Sequence, residues 1–469
     1  MPARRGCWTA PRRSAIIRGV ALPGEATSLP TRTEEAPSLA VAWYVVGVLT
    51  VVYVFSFIDR QIFSLLVGPL RRDLNLTDTQ VSLLMGFSFA VFYTCFGVPI
   101  GRLADSQSRR WVIAIGLVLW SVFTTGCGLA STFTQLLILR MGVGVGEAAL
   151  SPAAYSLITD CFPRERLATA ISVYATGIYI GMGLSYIVGG SIVGWAEAEP
   201  DWSIPLVGAT HAWQLVFFVI GLPGIALAPL LLTIDEPRQR RTRRAVPMRE
   251  VVAYMLENRR TFLLHNFGFA SISLAAYATL GWVPEFFRRQ FHWDVGTAGI
   301  VYGAIVSIGG VLGLLGAGRV ADRVYSTGRR AAVFIVAGAI ATLLVPVNLA
   351  LFLAPSAVWA TVWLTVQSVL FAAPFGMAPT AIQQMTPPTM RGQASAVYLF
   401  FSALIGLGMG PTAVALGTQY LFGGDDGLSL SLALVTSTGC ALSGLLFWFA
   451  CTPFVASLDR QHAWSGRPA

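Results

Sequence analysis

The pentad Gly101-Arg102-Leu103-Ala104-Asp105, followed by Arg109 and Arg110, returns as Gly318-Arg319-Val320-Ala321-Asp322, followed by Arg329 and Arg330. The copies lie 217 residues apart, each just after a long apolar run. A short charged loop recurring at half the chain length inside a hydrophobic protein implies two structurally equivalent halves. Two membrane halves, each with the same basic hairpin, form the architecture of a secondary transporter.

The 469 residues are 55 % hydrophobic and only 12 % charged, with a mean hydropathy of +0.66. A soluble chain this long would need a charged surface that this one lacks. Its apolar material falls into runs of about 20 residues, the length a helix needs to cross a bilayer core. The runs predict twelve spans near 41–66, 78–101, 111–130, 133–159, 167–194, 212–234, 261–288, 296–318, 331–352, 357–380, 393–420 and 429–454. The expected fold is an all-α integral membrane protein of twelve transmembrane helices in two six-helix pseudo-repeats. Residues 1–40 read as a disordered cytoplasmic arm, 41–234 and 261–456 as the two bundles, 235–260 as a cytoplasmic linker and 457–469 as a cytoplasmic tail. The arm is rich in Arg, Pro, Ser and Thr and lacks the apolar region of a signal peptide. A second echo, Ala170 to Tyr174 (AISVY) against Ala394 to Tyr398 (ASAVY), supports the repeat at an offset of 224.

A net charge of +9 raises the question of a nucleic-acid partner. The distribution answers it. All 32 basic residues are Arg, and 26 lie in the N-terminal arm, the alternate loops on one side and the C-terminal tail. Arg60 and Arg140 lie inside spans; Arg71, Arg72, Arg288 and Arg289 sit on the other side. That asymmetry is the positive-inside rule, so the basic balance reports topology rather than DNA or RNA. It places both termini in the cytoplasm, and the exclusive use of Arg suggests a bacterial inner membrane. The six Cys show no C-x-x-C spacing and the four His are scattered, so no disulfide framework, metal or cofactor is expected. There is no G-x-S-x-G, H-E-x-x-H or G-x-x-x-x-G-K-[ST] motif to support an enzyme or a primary pump.

A charge at the bilayer centre costs about 2.5–3.5 kcal/mol on translocon scales. Four ionisable side chains carry that cost, Asp59 and Arg60 in span one and Arg140 and Glu147 in span four. Arg140 and Glu147 are two helical turns apart and share a face, and Asp59 and Arg60 can compensate them across the bundle. The second half offers only His265 and Glu285. Glu147 and Asp59 are the candidate proton carriers, with Glu147 preferred because Asp59 adjoins a cation. Arg60 and Arg140 are the candidate ligands of an anionic substrate, with Tyr174 beside them; Tyr53, Tyr179, Tyr277 and Trp363 are further aromatic positions able to line a cavity. The run Gly142-Val143-Gly144-Val145-Gly146-Glu147 lies mid-span, so it reads as close helix packing rather than a dinucleotide loop. Gly101, Asp105, Arg109, Arg110, Gly318, Asp322 and Arg323 form the expected cytoplasmic gate, in which an Asp near a helix N-terminus gains from the macrodipole.

Taken with these residues, the chain resembles the major facilitator superfamily, and within it the Spinster family as found in bacteria. The resemblance rests on Asp59-Arg60-Gln61, on Leu76-Thr77-Asp78-Thr79-Gln80, on the Gly101–Asp105 signature and on the stretch from Arg140 through Glu147 to Pro152. Asp160-Cys161-Phe162-Pro163, Gly221 to Gly224 and Gly406 to Pro411 also fit. It implies that Asp59, Arg60, Arg140 and Glu147 are the family's buried charged positions, with the Glu in proton coupling. It further implies transport of small amphipathic or lysolipid-like organic anions, with a polar organic acid as the alternative cargo, by a protein that acts as a monomer. Ser106 and Ser108 replace the usual Arg and Gly of the signature, and Gln214 follows Trp213 where Arg is usual.

Overall fold

The computed structural model describes residues 38–162, 164–198, 202–204, 208–236, 247–387 and 389–465. Among the described residues, twelve helices are long and apolar enough to cross a membrane: α1 (Leu39–Leu65), α2 (Asp78–Gly97), α3 (Arg109–Cys127), α4 (Phe133–Cys161), α5 (Thr169–Trp195), α6 (Ala212–Leu232), α7 (Arg259–Phe291), α8 (Val295–Ser326), α9 (Ala332–Phe352), α10 (Ala357–Met385), α11 (Arg391–Leu421) and α12 (Asp425–Gln461). The protein is a multi-pass membrane protein. Most of the expected arm, and residues 237–246 of the linker, lie outside the described residues.

The helix starts follow from local chemistry. Ser38 caps α1 by accepting from the Val41 amide, and Thr77 with Gln80 forms a capping box at the start of α2. The Leu76–Gln80 motif is therefore a helix-start signal. Before it, a short helix, Val67–Leu74, ends with Asn75 in the left-handed conformation at φ 50°. A two-stranded hairpin absent from the sequence reading, β1 (Trp202–Ile204) with β2 (Gly208–Thr210), joins α5 to α6.

Both repeated pentads are helical, not loops. The α2 helix continues to Ser106 and α8 runs to Ser326. Nothing in Gly-Arg-Leu-Ala-Asp breaks a helix; the breaks come later, at Gln107–Ser108 and at Gly328, whose φ of 87° ends the second turn.

The halves meet chiefly away from the arginine-rich loops. Close contact there needs residues without a side chain: a Cβ on Gly86 of α2 would lie 2.1 Å from the Leu407 carbonyl oxygen of α11. Both strands of that contact are π-helical turns, Leu83–Phe87 and Ser402–Met409, geometry that recurs at functional sites. Further out, Thr79 donates to Gln419 at 2.8 Å and Tyr186 to the Leu280 carbonyl at 2.7 Å. An ion-pair cluster completes this face. Arg289 donates to both oxygens of Asp78 (2.9 and 2.8 Å) and to Glu285 (2.6 Å), while Arg71 bridges Asp78 (3.3 Å) and Asp425 (2.9 Å). By contrast, Gly316 and Gly318 on α8 have nothing within 4 Å of an added Cβ. The described close contacts and ion pairs between the halves gather on the face opposite the arginine-rich loops.

Candidate functional site

The four buried charges come together as two crossed pairs. Arg60 Nη2 lies 2.5 Å from Glu147 Oε2, and Arg140 Nη1 lies 3.6 Å from Asp59 Oδ1. Ser56 donates to the same Glu147 oxygen at 2.6 Å, and Thr124 donates to Asp59 Oδ2. Each cation is also sandwiched by rings. The Arg60 guanidinium lies 4.6 Å from the Phe89 centroid and 4.8 Å from that of Phe57; the Arg140 guanidinium lies 4.3 Å from that of Phe63. Desolvated cation–π contacts of this kind stabilise a charge by about 2 kcal/mol, which offsets part of the cost of burial.

The glycine run explains how α4 delivers Glu147. A Cβ on Gly144 would lie 2.8 Å from the Phe89 carbonyl oxygen, and one on Gly146 would lie 2.7 Å from the Trp120 backbone nitrogen. Glycine there lets α4 press against α2 and α3. The helix then breaks after Glu147, where Ala149 bonds back to Gly146 at 3.2 Å, and restarts at Leu150.

Between the halves lies a cavity of about 270 Å³. Arg60 is its one charged lining residue among the described residues. Glu147 sits behind Arg60 with 1 % of its surface exposed, and Arg140 and Asp59 are buried outside the lining. Tyr174, expected to meet substrate, is fully buried and stacks on Tyr53, ring centroids 4.4 Å apart; it is Tyr53 that faces the cavity. The first half contributes Tyr53, Tyr93, Tyr155 and Tyr179, and the second Tyr277, Tyr302 and Tyr398. Trp363 is not among the lining residues. Tyr93, Tyr155, Tyr302 and Tyr398 were not singled out by the sequence, because an apolar span gives no sign of which apolar face is inner.

The expected gate divides. Arg109, fully buried, donates to Glu236 (2.8 Å), Asp160 (2.5 Å) and Ser156 (3.0 Å), and Arg110 donates to the Ile234 carbonyl (2.9 Å). These contacts tie α3 to α4 and to the segment after α6, all within the first half. The acid at the N-terminus of α3 is Glu236, which accepts from the Arg109 amide at 2.9 Å and from Ser108 at 2.5 Å. Burial works against the Glu236 carboxylate, yet the hydrogen bonds from Ser108 and Arg109 outweigh it and hold its pKa below the ordinary value. The Asp105 side chain lies outside the described residues. Gly101 has only Pro152 near an added Cβ, whereas Gly318 lies in open space. Asp322 and Arg323 are exposed at the end of α8 and make no ion pair among the described residues.

Comparison with known proteins follows the same line. The family model of the Major Facilitator Superfamily matches residues 49–411. The chain belongs to the Major Facilitator Superfamily. Within it, an MFS-type efflux pump of Mycolicibacterium smegmatis is 29 % identical over 418 residues, covering 87 % of this chain and 92 % of that one. The hexuronate transporter of Bacillus subtilis is 25 % identical over 290 residues, or 60 % of this chain and 65 % of that one. A solved bacterial homologue of the human lysosomal transporter Spinster, inward-facing and occupied, superposes with a TM-score of 0.73 at 26 % identity, covering 91 % of this chain and 99 % of that one. The resemblance to the Spinster family is thus borne out, and superfamily members of this kind are transporters, not enzymes.

Proposed function

We propose that this chain is a proton-coupled secondary transporter that works by alternating access and carries a single-chain, lysolipid-like amphipathic organic anion. One observation carries the reading: Arg60, the one cation on the cavity wall among the described residues, is held from behind by a carboxylate at 2.5 Å. While Glu147 is ionised it occupies Arg60. When Glu147 takes a proton, the guanidinium is released to an anionic headgroup. Proton and anion therefore bind cooperatively and move in the same direction. The aromatic walls suit an apolar tail, since Tyr and Phe bury large areas and keep a polar handle. Asp59, held by Thr124 and Arg140, keeps Arg140 neutralised and is the second candidate proton carrier.

The arginine-rich face is read as cytoplasmic by the positive-inside rule, which puts both termini inside a bacterial cell and makes the described state inward-open. The partners are the substrate, protons and the inner-membrane bilayer; the protein acts as a monomer without a cofactor, and nucleic acid is not a partner. The alternative cargo is a polar organic acid, favoured by the similarity to a hexuronate transporter. Against it stands a cavity wall that is mainly apolar, its polar groups other than Arg60 being chiefly the hydroxyls of seven tyrosines, which suits a tail better than a ring of sugar hydroxyls.

The test is thermal stabilisation of the purified protein by a panel of lysophospholipids, sphingoid phosphates, sugar acids and aromatic acids. A ligand at 100 times its Kd adds about 2.7 kcal/mol if it binds only the folded state. Stabilisation by lipids that is lost in Arg60→Ala supports the reading. Stabilisation by small hydrophilic acids alone overturns it in favour of the organic-acid transporter.

A further inference from the structure

Among the described residues the cavity wall of the second half carries no charge, yet one of its polar groups is held in a fixed orientation. Gln367 of α10 is 1 % exposed and lines the cavity. Its Nε2 donates to Asn348 Oδ1 of α9 at 2.7 Å, and Asn348 Nδ2 in turn faces Cys440 Sγ of α12 at 3.5 Å. Asn348 and Cys440 are both fully buried. This brace fixes which way the Gln367 amide points, and it leaves Gln367 Oε1 without a partner.

A buried acceptor left unpaired is costly in an apolar bundle. The neighbouring hydroxyls show how such a cost is normally avoided. Ser402 pairs with Ser273 at 2.9 Å, and Thr279 donates to the Ala275 carbonyl of its own helix at 3.0 Å. Among the described lining residues two have a buried polar atom without a hydrogen-bond partner: Arg60, through Nε, and Gln367, through Oε1. One is a cationic donor on the first half, the other a neutral acceptor on the second. A ligand that satisfies both must present an anion toward Arg60 and a hydrogen-bond donor toward Gln367.

We infer that Gln367 is a specificity-determining residue that selects amphipathic anions carrying a free hydroxyl or amine beside the anionic group, with Asn348 as its positioning residue. This rests on the reading of the cavity as the transport site and narrows its substrate class. It also gives the second half a direct grip on the cargo. A ligand held by Arg60 alone would contact only one half through polar groups; one held by both residues spans the surface along which the halves must rock.

The experiment compares 1-oleoyl lysophosphatidic acid, whose 2-hydroxyl is a free donor, with its 2-deoxy analogue, in the same detergent at one pH. Binding is measured to the wild type, Arg60→Ala, Gln367→Met and Asn348→Leu. The expected wild-type preference for the hydroxylated lipid is about twofold to tenfold, the range of one neutral hydrogen bond. Gln367→Met should bring that ratio to about one by weakening the hydroxylated lipid and leaving the deoxy lipid unchanged, a split that general damage to the fold would not produce. Asn348→Leu, which removes the brace without touching the cavity, should lower the ratio as well, and it serves as the reading if Gln367→Met does not fold. Binding of both lipids that depends on Arg60 but shows no preference in the wild type, or the same preference in the Gln367 and Asn348 variants, overturns the inference and leaves the proposed function standing. Binding of neither lipid overturns the lysolipid reading and this inference with it.

Discussion

Glu147→Gln isolates the proton from everything else the site does. The substitution preserves the shape of the side chain and an oxygen able to accept from Ser56 and Arg60, which lie 2.6 and 2.5 Å from Glu147 Oε2. It removes only the titratable charge. In the wild type, an anion at a pH where Glu147 is ionised must displace a charge-assisted hydrogen bond, a contact of about 1.5–3 kcal/mol. In the variant that competitor is weakened to a bond with a neutral amide oxygen, so its affinity for the anion at that pH should exceed the wild type's, by at most about 10- to 150-fold, because 1.4 kcal/mol is a factor of ten. The pH dependence follows with a definite sign. Wild-type affinity should fall as pH rises, by up to a factor of about ten per pH unit, because each anion bound takes up one proton. In the variant the profile should be flat. Titrating ligand into purified protein between pH 5.5 and 8.5 reads both effects. In proteoliposomes, accumulation driven by an imposed pH gradient should disappear while exchange of internal for external substrate persists. A slope retained in Glu147→Gln, or gradient-driven accumulation that survives, would refute the assignment and move the proton to another group, Asp59 first.

Asp78→Asn removes the carboxylate that joins Arg71 of the first half to Arg289 of the second; losing these pairs should favour opening of that face by about 1–3 kcal/mol, seen as a longer distance between spin labels placed across it, and an unchanged distance distribution would count against a latch. Gly86→Val drives a side chain toward the Leu407 carbonyl across the π-helical contact, so the same labels should report a face that no longer closes and transport should stop; normal transport by the variant would show that α2 and α11 do not pack this tightly. For Glu236→Gln, the folded-state pKa of the wild-type carboxylate is depressed, so its stabilising effect is present above the ordinary Glu value of about 4.3 and fades as pH falls through the lower folded value. The melting-temperature gap between wild type and variant should therefore be widest near neutral pH and close on acidification, whereas a gap independent of pH would contradict the ion pairing.

The twelve spans were legible because a bilayer imposes one length on every helix that crosses it. The charged quartet was legible because its burial is too costly to be incidental, and the two-turn spacing of Arg140 and Glu147 foretold that both would face α1. Other features left no such trace. The pentads read as loops because they are charged, although their residues are good helix formers and the breaks come only at Gln107 and Gly328. Tyr174 and Tyr53 stack on one another, yet only Tyr53 reaches the cavity. Hydropathy cannot separate them, since lipid, core and cavity faces are all apolar in this protein. Glu236 sits beside Asp235 in a charged stretch, and its hold on the start of α3 depends on a contact 127 residues away. Gln367 is an amide midway along a long apolar span, and its importance lies in partners on α9 and α12 that no local pattern reveals.

The crossed pairs of the first half also have an electrical consequence. Two acids and two arginines sum to zero, so the empty, deprotonated centre can change its exposure across the bilayer without carrying charge through the field. One proton on Glu147 together with one monoanion on Arg60 again sums to zero. Both reorientations are then indifferent to membrane potential, which otherwise acts with about 2.3 kcal/mol per elementary charge per 100 mV. A pH gradient alone would drive a monoanionic cargo. A dianionic headgroup carried with a single proton leaves one uncompensated negative charge, and an interior-negative potential pushes that charge outward. The charge state of the cargo, more than the protein, would decide whether voltage takes part in transport.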